Sequence, residues 1–209
     1  MARLLVASPV RQVPEVLREF LHSLSELDTS GFQTSYCFVD DNDNPESQAL
    51  LAQFAEQHDC LLIPGHQKGA AYQRGTATHA WPEEAMWRVA AYKDRMIEVA
   101  LDRGCDAMFF VDSDLVLHPR TLQQLWSAEK DIISEVFWTR WQPDQPELPQ
   151  VWQSGHYDFS REFVEQLRWC GVYRVGGLGA CTLVRARALQ AGVRFEQVPG
   201  LAFWGEDRH

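Results

Sequence analysis

The sequence lacks the features that mark membrane, secreted or nucleic-acid-binding proteins. No apolar run approaches the roughly 18 residues that a helix needs to cross a bilayer. The apolar stretch after Met1 is too short for a signal peptide. Basic residues are few, with 19 lysines and arginines against 29 acidic residues and a net charge of −10. An acidic surface repels a phosphate backbone. We therefore expect a soluble, cytoplasmic protein that has neither a transmembrane segment nor nucleic acid as a partner.

Cysteine and histidine are also too scattered to form a recognisable framework. The five cysteines are odd in number, lack C-x-x-C spacing and often stand inside apolar runs. This pattern is typical of reduced core residues. The seven histidines show no H-E-x-x-H spacing. The sequence therefore predicts neither a disulfide scaffold nor a structural zinc site.

What the sequence does contain is an alternation of strand-like and helix-like segments over its first two thirds. Apolar runs predict strands at 3–8, 35–40, 60–63 and 108–111, and helical spacing predicts helices at 13–27, 44–55 and 82–101. Pro9 is expected to close the first strand. Repeated βα units predict an α/β protein, a three-layer α/β/α sandwich with a mostly parallel central sheet.

Polar residues follow three of the predicted strands. They are the residues after Ser8 at the end of the first strand, the segment Asp40 to Asn44 after Val39, and Asp112-Ser113-Asp114 after the strand that ends at Val111. Ligands of parallel α/β sheets bind at the carboxyl ends of the strands. We therefore expect these three clusters to line one edge of the sheet.

Asp112 and Asp114 are the candidate metal ligands. Two carboxylates at alternate positions just past a strand can converge on one hard cation, and the small Ser113 leaves room for it. Mg²⁺ and Mn²⁺ are commonly held by few protein oxygens together with the phosphates of a substrate. A solvated acidic turn is the alternative interpretation of the same residues.

The acidic loop at Asp40 and Asp41 allows two interpretations. A calcium loop is not one of them, because Pro45 stands where that loop needs glycine and Leu51 where it needs glutamate. One interpretation is a carboxylate that accepts hydrogen bonds from a base or ribose. The other is a turn and capping cluster ahead of the helix that Pro45 begins.

Two further motifs occur late in the sequence. The adjacent carboxylates of Glu206 and Asp207 suit a general base, although a polar chain end is the default interpretation. Gly176-Gly177-Leu178-Gly179 precedes a strand and not a helix, so it is not a dinucleotide fingerprint. Close backbone packing or substrate approach is expected there.

In their order along the chain these motifs resemble the GT-A fold glycosyltransferases, in particular family-2-like enzymes that use nucleotide sugars. The resemblance rests on Ser8 to Arg11, Val39-Asp40-Asp41, Lys93-Asp94-Arg95, Phe110 to Asp114 with Pro119, Gly176 to Val184, and Trp204 to Asp207. It implies one GT-A-like domain over 1–209, with a nucleotide-sugar-binding half at 1–118 and an acceptor-side half at 119–209. Family members continue beyond the acidic pair with a helix, so either a truncated acceptor-side half or a minimal enzyme is expected.

The resemblance also implies roles for individual residues. Asp114, with Asp112 directly or through water, would hold Mn²⁺ or Mg²⁺, and His209 would be an extra metal ligand. Asp207, with Glu206 as second candidate, would deprotonate an acceptor hydroxyl on a saccharide or other acceptor. The nucleotide-sugar donor, with a UDP-sugar favoured and a GDP-sugar as alternative, would contact Pro9, Arg11, Asp40, Asp41, Lys93, Asp112 and Ser113.

The expected reaction is transfer of the sugar by an inverting single displacement, and two alternatives accompany it. A nucleotidyltransferase of related fold would also place acidic metal ligands at the sheet edge, but it normally has a Gly-rich loop near the first strand, and Ser8-Pro9-Val10-Arg11 contains no glycine. A non-catalytic nucleotide-sugar-binding module is the second alternative.

Overall fold

A computed structural model describes residues 1–66, 73–74, 79–80, 82–140, 144–153, 159–201 and 205–208. The strands are β1 (Ala2–Val10), β2 (Phe32–Asp40), β3 (Cys60–Pro64), β4 (Gln73–Arg74), β5 (His79–Ala80), β6 (Ala107–Val111), β7 (Ile132–Ser134), β8 (Trp138–Thr139), β9 (Leu148–Pro149) and β10 (Cys181–Arg185). The helices are α1 (Pro14–Ser25), α2 (Pro45–Gln57), α3 (Glu83–Asp102), α4 (Thr121–Ser127), α5 (Arg161–Gln166) and α6 (Ala186–Gln190), and a 3₁₀ turn spans Glu206–Arg208.

Six of the strands form one sheet in the order β3-β2-β1-β6-β10-β7. Strands β3, β2, β1 and β6 are parallel to one another. Strand β10 is antiparallel to both β6 and β7, so β7 runs in the same direction as β6. The predicted mostly parallel sheet is confirmed, with β10 as its reversed strand.

Alternate residues of the sheet face two separate hydrophobic cores. One core joins Phe38 and Phe109 to α1, α2 and α4 through residues such as Phe20 and Leu51. The other joins the opposite face of the same strands to α3 and α6, with Met96 fully buried. This pattern follows from the two-residue period of strands. The predicted α/β/α layers are therefore confirmed.

The first strand is longer than predicted, because Pro9 does not end it. Strand β1 pairs with β2 as far as Val10, whereas its pairing with β6 stops at Ala7. At Pro9 the strand therefore has a partner on one side only, an edge-like position where a missing N–H is tolerated. The start of α2 is as predicted, because the Asn44 side chain accepts a hydrogen bond from the Glu46 N–H at 2.9 Å.

The described part of the last third contains shorter elements around a small third core. Val151, Phe163 and Leu167 form this core. Trp152 packs directly on Gly177, where an added Cβ would lie 2.0 Å from the ring. This contact agrees with the close packing expected of the glycine-rich segment.

Two expected absences concern cysteines and membrane spans. None of the five cysteines is in a disulfide; three are buried, whereas Cys60 is half-buried and Cys170 is exposed. No helix within the described ranges has both the length and the apolar character that crossing a membrane requires.

Candidate active site

The carboxyl ends of β1, β2, β6 and β7 lie at the same edge of the sheet, together with the first residue of the reversed strand β10. The Asp112 N–H donates to the Ala180 carbonyl oxygen at 2.8 Å, which joins the ends of β6 and β10. Ser8, the last residue of the predicted first strand, is fully buried inside β1 and its hydroxyl bonds the Pro9 carbonyl oxygen. Because β1 continues to Val10, the polar residue at its end is Arg11.

The first cluster at this edge surrounds Asp41. Its carboxylate is buried and accepts a hydrogen bond from the Tyr92 hydroxyl at 2.9 Å. The second carboxylate oxygen lies 3.6 Å from Nη1 of Arg11 and 3.9 Å from Nε of Arg88. A Cβ at Gly65 would lie 2.7 Å from the carboxylate, so only glycine leaves room for it. Arg11 also donates to the exposed Asp43 at 2.9 Å, so two arginines face two aspartates in a cluster around the buried Asp41.

Burial raises the pKa of Tyr92 to about 12, and the neighbouring Asp41 carboxylate adds to this effect. Tyr92 therefore keeps its proton at neutral pH and remains a hydrogen-bond donor to Asp41. Its oxygen also accepts from the backbone N–H of His66 at 2.6 Å. The tyrosine thus connects α3 to the segment that follows β3.

Asp40, the other acidic candidate of this loop, is used locally. One of its carboxylate oxygens accepts both the backbone N–H and the side-chain amide of Asn42, at 3.1 and 2.7 Å. Asp40 therefore helps to close the turn, and its contact with a nucleotide stays a prediction. Pro9 is half-buried and pairs with Val39 in the sheet, two positions before Arg11.

The second cluster is centred on Lys93. This lysine is only 4% exposed, and its ammonium group donates to Glu206 at 2.8 Å and to Asp207 at 2.7 Å. The ammonium group also lies 4.9 Å from the centre of the Phe195 ring. Lys93, predicted to contact the donor, is thus placed against the candidate base residues, from which it is separated by more than a hundred positions in sequence.

Charge in this second cluster is unbalanced. Burial favours the neutral amine, yet the carboxylates of Asp207, Glu206 and Asp112 hold the pKa of Lys93 well above its ordinary value. Burial raises the pKa of Asp112 to about 8; Lys93 opposes this rise, and the neighbouring carboxylates of Asp207, Asp114 and Glu206 add to it. Burial also raises the pKa of Asp207, against the lowering effect of Lys93. Among the described residues, two carboxyl groups bond the Lys93 ammonium group, and that of Asp112 lies near enough to affect its pKa.

The predicted metal ligands lie beside this cluster. Asp112 is half-buried, Ser113 is buried and Asp114 is exposed. No three histidine, cysteine, aspartate or glutamate residues in the described ranges are grouped closely enough to hold a metal by themselves. His209, the predicted extra ligand, lies outside those ranges. Asp112 and Asp114 offer the carboxylate oxygens that Mg²⁺ and Mn²⁺ prefer, and such ions commonly take further oxygens from the phosphates of a substrate.

A cavity of about 790 Å³ opens next to Asp112 and Asp207 and extends along β10 and β7 to the segment 171–179. Its walls are largely apolar, with Phe195 and Tyr173 among them. Gly179 also lines it, and a Cβ there would lie 2.5 Å from Oδ2 of Asp207. Because Lys93 holds Oδ1, the absence of a side chain at Gly179 gives Oδ2 its space.

Sequence reasoning missed Arg88 and Tyr92, which both contact Asp41. The two residues are four positions apart on α3, so they lie on one face of the helix. That helical spacing, together with the expected packing of α3 on the sheet, indicates that both side chains can reach the same site. The neighbouring Lys93 was chosen because of its charge and its place in the motif order.

Comparison with known proteins adds evidence on the fold. No protein-family model matches the sequence, and a search of curated proteins finds no match. Among solved structures, the chain is similar to a mannosyltransferase from Pyrobaculum calidifontis in complex with GDP-Man and Mn²⁺, with a TM-score of 0.52 and 16% identity over 99% of this chain. It is similar to S. aureus TarS with a TM-score of 0.53 and 13% identity, also over 99%.

The chain has the GT-A type of fold. A third similar structure is a CMP:2-keto-3-deoxy-manno-octonic acid synthetase complexed with CTP, with a TM-score of 0.51 and 10% identity over 95% of this chain. The chain spans 50% of the mannosyltransferase, 32% of TarS and 80% of the synthetase. At these identities the likeness establishes the GT-A fold alone, and the chemistry depends on the residues at the sheet edge.

Proposed function

We propose that this chain is a metal-dependent glycosyltransferase that moves a sugar from a nucleoside-diphosphate donor to an acceptor hydroxyl. The observation that carries the proposal is the cluster at the end of β6, where Asp112 lies beside Lys93 and Asp207 at the mouth of the cavity. A surplus of carboxylates suits a cation bound with a diphosphate, and the adjoining cavity has room for an acceptor. Structures similar in fold carry GDP-Man with Mn²⁺, and UDP-GlcNAc.

The nucleoside part of the donor is assigned to the Asp41 pocket. An ionised, buried carboxylate is a strong acceptor for the N–H of a base or the hydroxyl of a ribose. Arg11 and Arg88 hold Asp41 in place, and they are the cationic groups that we assign to the phosphates of the donor. A UDP-sugar is the favoured donor, with a GDP-sugar as the alternative.

Asp114 and Asp112 are the residues that would hold Mn²⁺ or Mg²⁺. When bound, such a cation neutralises negative charge on the nucleoside-diphosphate leaving group. The two aspartates fix where the diphosphate lies relative to the cavity. The half-buried Asp112 reaches towards Lys93, and the exposed Asp114 faces solvent before substrate arrives.

Asp207 is the proposed general base. The acceptor oxygen attacks the anomeric carbon, the bond from that carbon to the diphosphate oxygen breaks, and the acceptor proton passes to Asp207. This single displacement inverts the configuration at the anomeric carbon. Oδ2 is the available oxygen, because Lys93 engages Oδ1 at 2.7 Å. Lys93 and Glu206 thus act as positioning residues for the base.

The test is calorimetric titration of the protein with UDP, GDP, CDP and dTDP, with and without Mn²⁺. We expect one nucleotide to bind, and to bind more tightly when Mn²⁺ is present. Absence of metal-dependent binding for all four would reject the glycosyltransferase proposal.

A variant pair sharpens this test. Asp114→Ala should abolish the effect of Mn²⁺ on nucleotide binding and leave the circular-dichroism spectrum unchanged. Asp102→Ala is the matched control, because Asp102 is an exposed aspartate at the far end of α3. If Asp114→Ala binds with the same Mn²⁺ dependence as the control, Asp114 is not a metal ligand.

The synthetase with bound CTP gives a specific reason to test nucleotidyl transfer as a second candidate. That reaction consumes a nucleoside triphosphate and releases pyrophosphate, whereas sugar transfer releases a nucleoside diphosphate. Titration with CTP, and an assay for released pyrophosphate in the presence of sugars, separates the two. Tight CTP binding with pyrophosphate release would favour the synthetase type of reaction.

A further inference from the structure

Glu135 follows strand β7 at the same edge of the sheet as Asp112. Strand β7 runs parallel to β6 and ends at Ser134, which pairs with Thr182 of β10. The Glu135 N–H donates to the Cys181 carbonyl oxygen at 3.2 Å, so the residue is fixed beside the start of β10. No motif drew attention to this glutamate in the sequence.

The Glu135 side chain is half-buried and has no hydrogen-bond or ion-pair partner in the part of the chain that the structure describes. Burial raises the pKa of Glu135. The residue lines the same cavity as Asp112 and Asp207. Its unsatisfied oxygens are therefore available to a molecule in that cavity.

Backbone contacts connect Glu135 to the proposed base. The Oγ of the preceding Ser134 lies 2.7 Å from the carbonyl oxygen of Cys181 and 2.9 Å from that of Gly179, so its single proton can be donated to either. Gly179 in turn lies against Oδ2 of Asp207. Glu135 and Asp207 thus both lie next to the segment 179–181, and both line the same cavity.

We propose that Glu135 selects the acceptor by accepting a hydrogen bond from a second acceptor hydroxyl, next to the one that reacts at Asp207. This inference rests on the proposed glycosyltransferase function. An ionised carboxylate only accepts hydrogen bonds, so it favours ligands with a spare donor. A monohydric alcohol has no hydroxyl left once its single one faces Asp207. The acceptor class is therefore a saccharide, whose apolar ring face can pack against Tyr173 or Phe195 in the cavity wall.

The experiment uses the full chain with Mn²⁺ and either UDP-N-acetylglucosamine or GDP-mannose, whichever gives the faster release of nucleoside diphosphate with water as acceptor. The methyl glycosides of glucose, galactose and mannose are then added as saccharide probes, and n-butanol as the monohydric probe. We expect at least one methyl glycoside, but not n-butanol, to accelerate release and to be glycosylated.

Glu135→Gln should raise the KM of that glycoside about tenfold, the effect expected when a hydrogen bond to a charged group is weakened. Donor hydrolysis, kcat at saturating glycoside and donor affinity should stay within about twofold. One monodeoxy analogue of the glycoside should have the same KM for wild type and Glu135→Gln, because it lacks the hydroxyl that Glu135 binds. A purely structural role would not produce that equality.

Glu56→Gln is the matched control. Glu56 is exposed on α2, which packs on β3, and β3 is the edge strand opposite β7. The inference is overturned if Glu135→Gln has the glycoside KM of this control. It is also overturned if no methyl glycoside is used, or if n-butanol is used equally well. If the wild-type protein does not bind the donor, the proposed function is rejected, and the inference with it.

Discussion

Two neighbouring residues of α3 reach into two acidic clusters of opposite character. Tyr92 and the nearby Arg88 contact Asp41, whose carboxylate is also within 3.6 Å of Arg11. One residue further on, Lys93 lies among the carboxyl groups of Asp112, Glu206 and Asp207. The first cluster matches two arginines to two aspartates, Asp41 and Asp43, whereas in the described part of the chain the second has more carboxyl groups than cations.

This difference indicates what each cluster requires from a ligand. A balanced and buried carboxylate is pre-organised for hydrogen bonds and needs no added charge. An acidic cluster with one ammonium group is stabilised by any further cation, and a divalent ion with a diphosphate supplies one. The helix α3 thus aligns a nucleoside-type pocket and a cation-type pocket side by side. The variants below separate the two.

The largest effect is expected for Asp207→Asn, which removes the proposed base from the second cluster. Transfer to an acceptor should fall by roughly 10²–10⁴-fold, the usual contribution of general base catalysis. Nucleotide affinity should remain within about twofold, because the Asp41 pocket is untouched. Product formation and calorimetry measure the two quantities. Full transfer activity in this variant would show that another residue is the general base, and Glu206 would be the next candidate.

Lys93→Met should be the most destabilising change in the second cluster. It leaves Glu206 and Asp207 without their buried cation, and breaking such a pair costs about 2–4 kcal/mol when one partner stays partly solvated. Urea unfolding measures this loss, and Mn²⁺ should restore part of it. Arg95→Met is the control, since its exposed pair with Glu98 is screened by solvent and contributes little to stability. Equal losses in both variants would contradict the charge imbalance.

The glycine-rich segment offers a paired test. Gly177→Ala places a methyl group against the Trp152 ring, and overpacking of this kind lowers the free energy of unfolding by about 1–3 kcal/mol. Gly179→Ala instead displaces the Asp207 carboxylate, so transfer should fall about tenfold with a smaller stability loss, the order of loss that misplaced reacting groups cause. Thermal unfolding and transfer assays on both proteins distinguish these outcomes. An unchanged rate in Gly179→Ala would show that Oδ2 is not the working oxygen.

The smallest effect is expected in the first cluster. Asp41→Asn removes the charge that Arg11 and Arg88 face, but an amide oxygen remains as acceptor. Nucleotide Kd should rise about tenfold, as for the weakening of a charge-assisted hydrogen bond. The ratio of Kd with and without Mn²⁺ should stay as in the wild type. A changed ratio would mean that the two clusters do not act separately.

Much of the fold was predictable because it depends on local patterns. Apolar runs and helical spacing predict the βα order. The sequence Asn44-Pro45-Glu46 predicts the start of α2, which is confirmed. The grouping of Arg11, Asp41 and Asp112 at one edge followed from the rule on parallel strand ends. These features require only sequence neighbours or general topology.

What the sequence did not reveal depends on distant contacts. The Lys93 ammonium group pairs with Glu206 and Asp207, which lie 113 and 114 positions further along the chain. No periodicity in the sequence encodes a pairing over that distance. Glu135 follows a three-residue strand that is too short for a recognisable pattern. The loop after β2 contained two adjacent aspartates, and only the hydrogen bonds of Asn42 show that Asp40 closes the turn while Asp41 faces inward.

The distance in sequence between Lys93 and Asp207 has a consequence for folding. Their contact closes a loop of more than a hundred residues, and long loop closure is slow and entropically unfavourable until the intervening strands are in place. The β1–β2–β6 core and α3 can assemble from contacts that do not involve the 3₁₀ turn. We expect the 3₁₀ turn to dock late and to open first in hydrogen exchange, so that the candidate base is the least protected part of the site.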